Sequence, residues 1–191
     1  VWGINYLQTV YHMSNTKASF LISFIMFGMI IGSLCINTIA HYFSHNLAMI
    51  PRLASTGMAL CWFYFLIIAN GKPSIFMLVI LFLIMGFLAM AHIVSFTDIL
   101  QHCEQRFGGL GTSIVNSGEF IGSSIISLMI GFALDATAKQ KLITGAYQYT
   151  PSQFKLCFII FMILSIIGIA TSFIGTKRTE TPVYHTKETT A

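Results

Sequence analysis

The sequence predicts an all-α, polytopic membrane protein with five full transmembrane helices and the end of a sixth. Three observations carry that prediction. Of 191 residues, 55% are hydrophobic and only 8% charged, against about 25% charged in a soluble domain. Apolar runs long enough to cross a hydrocarbon core of ~30 Å, which takes about 20 residues, recur along the chain. The alternating ten-residue segments of a transmembrane barrel do not occur, and helices of this length leave no sequence for strands.

Residues 1–13 (VWGINYLQTVYHM) are too few to span a bilayer and read as the last turns of a helix that begins upstream. The polypeptide is therefore expected to be a fragment. Ser14 or Asn15 is placed to cap a span over 18–43, in which Gly28 and Gly32 stand at the GxxxG spacing that lets helix backbones approach. A second span, 53–70, is dense in Trp62, Phe63, Tyr64 and Phe65, bulky side chains suited to lipid contact or support. Gly71-Lys72-Pro73 turns the chain into a third span, 74–97, whose polarity rises toward its end through His92, Ser95 and Thr97. A loop over 99–108 with His102, Glu104 and Arg106 precedes a Gly-rich run that opens a fourth span, 109–134. A polar connector leads to a fifth, 154–174, apolar around its circumference and so peripheral. Residues 177–191 make a polar tail, expected to be cytoplasmic and disordered.

The fourth span organises the rest. At about 100° per residue, Thr112, Asn116, Glu119 and Ser123 fall within one narrow arc, while Gly111, Gly118 and Gly122 gather roughly a quarter-turn away. One face can be wetted, and its neighbour can pack closely on another helix, as Gly131 can farther along. A charged Glu119 exposed at mid-bilayer costs ~2.5 kcal/mol or more, so it must face water or a partner, or carry a proton. Its functional reading is a protonatable group that couples a proton to solute movement; its structural reading is a neutral acid bonded across a helix interface, with Asn116 one turn away. Thr112 and Asn116 either bind solute or hold helices together. His92 is a second intramembrane titratable group, read either as a proton relay with Glu119 or as a packing residue. Asp98, near the end of the third span, reads as a helix terminus.

Composition also excludes classes of function. The net charge of +4 forms no basic patch interleaved with aromatics, so nucleic acid is not a partner. Cys35, Cys61, Cys103 and Cys157 have no paired spacing, and the histidines have no metal-ligand spacing, so neither disulfide, metal nor cofactor is expected. No HExxH or GxSxG motif is present, and an enzyme is not expected. Orientation stays open. With the tail cytoplasmic, Arg52, Arg106, Lys177, Arg178 and Lys187 fall inside and Lys17, Lys72, Lys139, Lys141 and Lys155 outside, five against five.

In order and spacing, Trp2-Gly3 with Tyr6-Leu7, then Ser23, Gly28 and Gly32, then Gly109, Ser113 to Asn116, Gly122, Gly131 and Leu134-Asp135 form a pattern. It resembles the C-terminal half of a bacterial major facilitator superfamily transporter, from the end of the seventh helix to the twelfth. The family's Gly-x-x-x-Asp-Arg-x-Gly-Arg-Arg motif is degenerate here, reading Asn37, His41, Tyr42, Ser44, His45 and Asn46.

What the resemblance implies is a six-helix bundle that encloses a central site with a second, N-terminal bundle, and alternating access by rocking one bundle against the other. It makes the truncated first helix and the third span, 74–97, cavity-lining and the first and fourth spans the flanking bundle interface, with Trp2, Asn5, Tyr6 and Gln8 at the outer end of the path, where aromatics also serve as an interfacial belt. The function so implied is secondary transport of an amino acid, organic acid or sugar across a bacterial inner membrane, to which the reading of Glu119 as an intramembrane ionisable group adds proton symport. Its partners are the solute, the lipid bilayer and the missing N-terminal half. The alternative is a truncated half-carrier that transports nothing, an interaction partner or an inactive remnant.

Overall fold

The computed structural model describes residues 2–43, 46–102, 104–137, 140–141 and 147–173. Within them the chain is helical, apart from a two-residue antiparallel pair in the long connector, Gln140–Lys141 (β1) with Tyr147–Gln148 (β2). The tail over 177–191, most of the connector between 138 and 146, and the side chains of Ser95, Asp98 and His102 lie outside the described residues.

The helix ends follow from caps and breakers. α1 is Trp2–Tyr11. α2, Asn15–Tyr42, begins where Ser14, in extended backbone, accepts the Lys17 amide hydrogen on its hydroxyl. α3, Met49–Phe63, starts four residues before the expected Leu53, because Pro51 sits in the first turn, where a missing N–H costs nothing. It runs into a π turn, Tyr64–Ile68, and the chain then reverses through Asn70 (φ 51°) and Gly71 (φ 74°). α4, Ile75–Ala89, is capped by Ser74.

The third span differs most from expectation. A 3-10 turn, Met90–His92, interrupts it, and helix then resumes as α5, Ile93–His102, so much of the segment expected as loop is helical. The physical reason is visible in the chain: between Gly86 and Gly108 there is neither Gly nor Pro to stop a helix. Asp98 falls four residues inside the end of α5 rather than at a terminus. A further 3-10 turn, Gln105–Phe107, leads into α6, Gly108–Thr137. α7, Pro151–Ser172, opens at a proline, with the Thr150 N–H donating 2.6 Å to Gln153 Oε1.

Five of these elements are long and apolar enough to cross a membrane: α2, α3 with its π turn, α4 with its 3-10 turn, α6 and α7. Their most extensive contacts pair α2 with α4 and α3 with α7. Glycine makes the first pair. A methyl group built on Gly28 would overlap the Leu83 carbonyl of α4, and one on Gly86 would overlap the Ile25 carbonyl of α2. One on Gly32 would lie 2.8 Å from the Phe87 carbonyl oxygen.

Aromatic rings fill the centre of the bundle. Tyr6, 3% exposed, meets Phe158 at 5.3 Å and Phe65 at 5.5 Å between ring centres, and Trp62 stacks on Phe161 at 5.1 Å. Trp62 and Phe65 therefore point into the bundle, while Phe63, Ile67 and Ile68 of the same span point outward, as lipid-facing side chains do.

Candidate functional site

The candidate site is the polar face of α6, and its setting follows from how α6 is held. At its carboxyl end it is tied to the start of α7: Tyr149 donates 2.6 Å to Asp135 Oδ1, and the Gln153 amide donates to the Thr137 carbonyl. α1 covers the same half. The Trp2 indole N–H donates 3.1 Å to the Ser127 carbonyl, and its ring lies 3.2 Å from where a methyl on Gly131 would sit. On that face Ile130 and Leu134 are fully buried.

Toward the amino end the cover is lost. Glu119 projects along the same helix face as Ile126 and Ile130, about two and three turns earlier. It is exposed, as are Asn116 and Ser123, and Thr112 is half-buried. Among the described residues Glu119 has no hydrogen bond or ion pair. Its own helix face offers few donors, because hydroxyl hydrogens nearby are already used and Ser117, two residues away, stands on the opposite side of the helix. Thr112 bonds to the Gly108 and Gly109 carbonyls, Ser113 to Gly109, and Ser123 and Ser124 to Phe120. Asn116 keeps a free amide.

The remaining expected site residues are placed as follows. His92 lies in the 3-10 turn, half-buried, with Nδ1 2.7 Å from the Ala89 carbonyl oxygen. A carbonyl only accepts, so Nδ1 carries a proton, and in the neutral ring Nε2 is the acceptor. No hydrogen bond joins His92 to Glu119. Asn5 and Gln8 are half-buried on α1. Trp2 and Tyr6 act as pins: Tyr6 donates 2.6 Å to the Gly71 carbonyl, and its neighbour Tyr11 donates to that of Pro73. Gly28 and Gly32 lie in the α2–α4 contact, whereas a methyl on Gly118 or Gly122 would meet nothing within 4 Å. Gly111 lies half-buried in the first turns of α6.

A cavity of about 400 Å³ opens inside the bundle beside the amino end of α1, lined by Trp2, Ile25, Trp62, Phe82 and Phe158, with Ser123 and Ser127 among its few polar groups. Among the described residues no charged group lines it, so a polar solute finds little to bond there. Sequence reasoning missed two features. Gly86, inside an apolar run, carried its signal as a lone glycine in a helix. Arg52 donates 3.0 Å to the Ser172 carbonyl at the end of α7 with its guanidinium 4.0 Å over the Phe173 ring, and nothing in its sequence context marked it. Among the described residues no group of His, Cys, Asp and Glu could hold a metal ion.

Comparison with curated proteins and with solved structures returns no match. The sequence does match the family model of the Major Facilitator Superfamily, over residues 1–190. That match spans nearly the whole chain, and among the described residues five helices are long and apolar enough to cross a membrane. The chain is thus a multi-pass membrane protein and belongs to the Major Facilitator Superfamily of membrane transporters.

Proposed function

We propose that the chain is the C-terminal bundle of a secondary carrier in a bacterial inner membrane. The carrier moves a small polar solute, an amino acid, organic acid or sugar, by alternating access, and couples it to protons through Glu119. The observation that carries this reading is the α6 stripe: Thr112, Asn116, Glu119 and Ser123 share one face of a membrane-spanning helix, and the carboxylate has no partner among the described residues. An intramembrane ionisable group is costly, so its presence there supports a reading of ion or solute handling. Asn116 supplies an amide that bonds solute, and His92, with Nε2 free, supplies a second proton-accepting group on the α4–α5 segment. The solute is expected on the uncovered α6 face, between this bundle and its N-terminal counterpart, because the interior cavity offers it so few polar groups.

The test is Glu119→Gln in the full-length carrier. Acid-driven uptake should be abolished while solute exchange continues, since a glutamine still hydrogen-bonds but cannot carry a proton. Unchanged pH dependence of uptake in that variant would remove the coupling role. The intact mass of the native polypeptide, compared with the 21.2 kDa of this chain, separates a full carrier from a lone half.

A further inference from the structure

We propose that the turn between α3 and α4 is a docking site for the headgroup of an anionic phospholipid, held by Lys72 and Lys155 with Lys17 at the same end of the bundle. The site stands apart from the α6 stripe and depends neither on the solute nor on proton coupling.

The argument starts from a charge imbalance in the chain. No Asp or Glu occurs in the first 97 residues, and Asp135 is the one carboxylate between 120 and 179. Tyr149 already donates to it. Against that single acid stand Lys17, Lys72 and Lys155. The fold brings the last two to one turn. Lys155, at the start of α7, lays its stem along Gly71, 3.4 Å from where a methyl would sit, and its ammonium donates to Asn70 Oδ1. Lys72 is the next residue in the turn, with Nζ 5.8 Å from the centre of the Tyr11 ring. Tyr11 donates to the Pro73 carbonyl, and α2 begins four residues later, so Lys17 in its first turn belongs to the same end.

These ammonium groups lack acidic partners. Among the described residues none of the three lysines has an ion pair, and the Gly71 and Pro73 carbonyls beside them already accept from Tyr6 and Tyr11. Cations at the opposite end are provided for: Arg52 donates to the Ser172 carbonyl, and Arg106 meets Glu104 at 2.7 Å. Water satisfies a lysine that is free to move. Here Asn70 and Gly71 hold Lys155 and the Tyr11 ring flanks Lys72, so both donors are arranged before an anion arrives.

The surroundings select a lipid over a free anion. The turn joins two membrane-spanning elements, which sets its lysines at the edge of the bilayer. Ile67 and Ile68 before the turn, and Ile75 and Phe76 after it, are each 50% or more exposed. Acyl chains can lie on that apolar surface while the ammonium groups reach the phosphate. A free phosphate uses the lysines alone; a phospholipid uses both surfaces.

The experiment is native mass spectrometry of the full-length polypeptide in detergent, titrated with dioleoyl phosphatidylglycerol, with dioleoyl phosphatidylcholine, and with inorganic phosphate as competitor. Phosphatidylglycerol is expected to bind in preference to phosphatidylcholine. Lys72→Gln should weaken that binding about fivefold, and Lys72→Gln with Lys155→Gln about 30-fold. Lys177→Gln with Arg178→Gln removes the same charge elsewhere and should leave it unchanged. Lys72 is exposed in a turn, so the single variant decides even where the double fails to fold. Equal binding of the two lipids, undiminished binding in Lys72→Gln, or an equal loss in the Lys177 and Arg178 pair would each overturn the proposal. Displacement of phosphatidylglycerol by an equal concentration of inorganic phosphate would overturn it as well, by showing a site for a free anion.

Discussion

Gly28 of α2 and Gly86 of α4 lie across from one another, each under a backbone carbonyl of the opposite helix, Leu83 for Gly28 and Ile25 for Gly86. Two helices that lack a hydrophobic driving force in lipid gain from such close approach through dispersion along the backbones. A methyl group on either glycine meets backbone, which cannot rotate away. Gly28→Ala and Gly86→Ala are each expected to cost ~2 kcal/mol or more through overpacking. Gly118→Ala, where the described structure is open, should cost little in this chain. Thermal unfolding of the detergent-solubilised variants checks the ranking, and equal losses at Gly86 and Gly118 would contradict the contact.

The turn between α3 and α4 is a second point of constraint. Gly71 has φ 74°, a left-handed conformation in which a Cβ costs roughly 1–2 kcal/mol. Gly71→Ala should lower the melting temperature even though the Lys155 stem, at 3.4 Å, leaves room for the methyl. Asn70→Ala, at φ 51°, should act in the same direction and in addition lose the bond from Lys155.

Tyr6 and Tyr11 fasten α1 to that turn. Tyr6→Phe keeps the ring contacts with Phe65 and Phe158 and removes one hydrogen bond to the Gly71 carbonyl, an expected loss of ~1 kcal/mol. Tyr6→Ala also empties a buried site and should cost ~3–5 kcal/mol. A denaturation series in which the two variants lose equal stability would show that the ring packing is not what holds α1.

Arg52 fastens the opposite end. Its guanidinium donates to the Ser172 carbonyl at the end of α7, where cations are favoured by the helix dipole, and covers the Phe173 ring. Arg52→Met is expected to lose ~2 kcal/mol through this charge-assisted bond. Arg52→Lys should recover part of it, because an ammonium can reach one carbonyl but cannot lie flat on the ring. Hydrogen exchange over the last turn of α7 reads the effect locally, and unchanged exchange in Arg52→Met would argue against the cap.

Much of this architecture was legible in the chain. Ser14 caps where a hydroxyl before an apolar run predicts, and the polar arc of the fourth span could be read because Thr112, Asn116, Glu119 and Ser123 repeat with the helical period. The start of α3 at Met49 and the passage of helix from α4 through α5 were not anticipated. In the first case a proline read as loop stands in a first turn; in the second, rising polarity was read as the approach of a loop, although nothing stopped the helix.

The sequence by itself determined that five segments are long and apolar enough to cross a bilayer and that Thr112, Asn116, Glu119 and Ser123 share one arc of α6, because those properties are set by length, hydropathy and periodicity along a single segment. Only the tertiary structure decided that Gly86 opposes Gly28, that Trp62 and Phe65 turn inward, and that Trp2 covers the lower half of the face on which Glu119 stands. The physical reason is that in a bilayer an apolar side chain is equally at home against lipid and against another helix, so hydropathy does not separate the two. Packing contacts do.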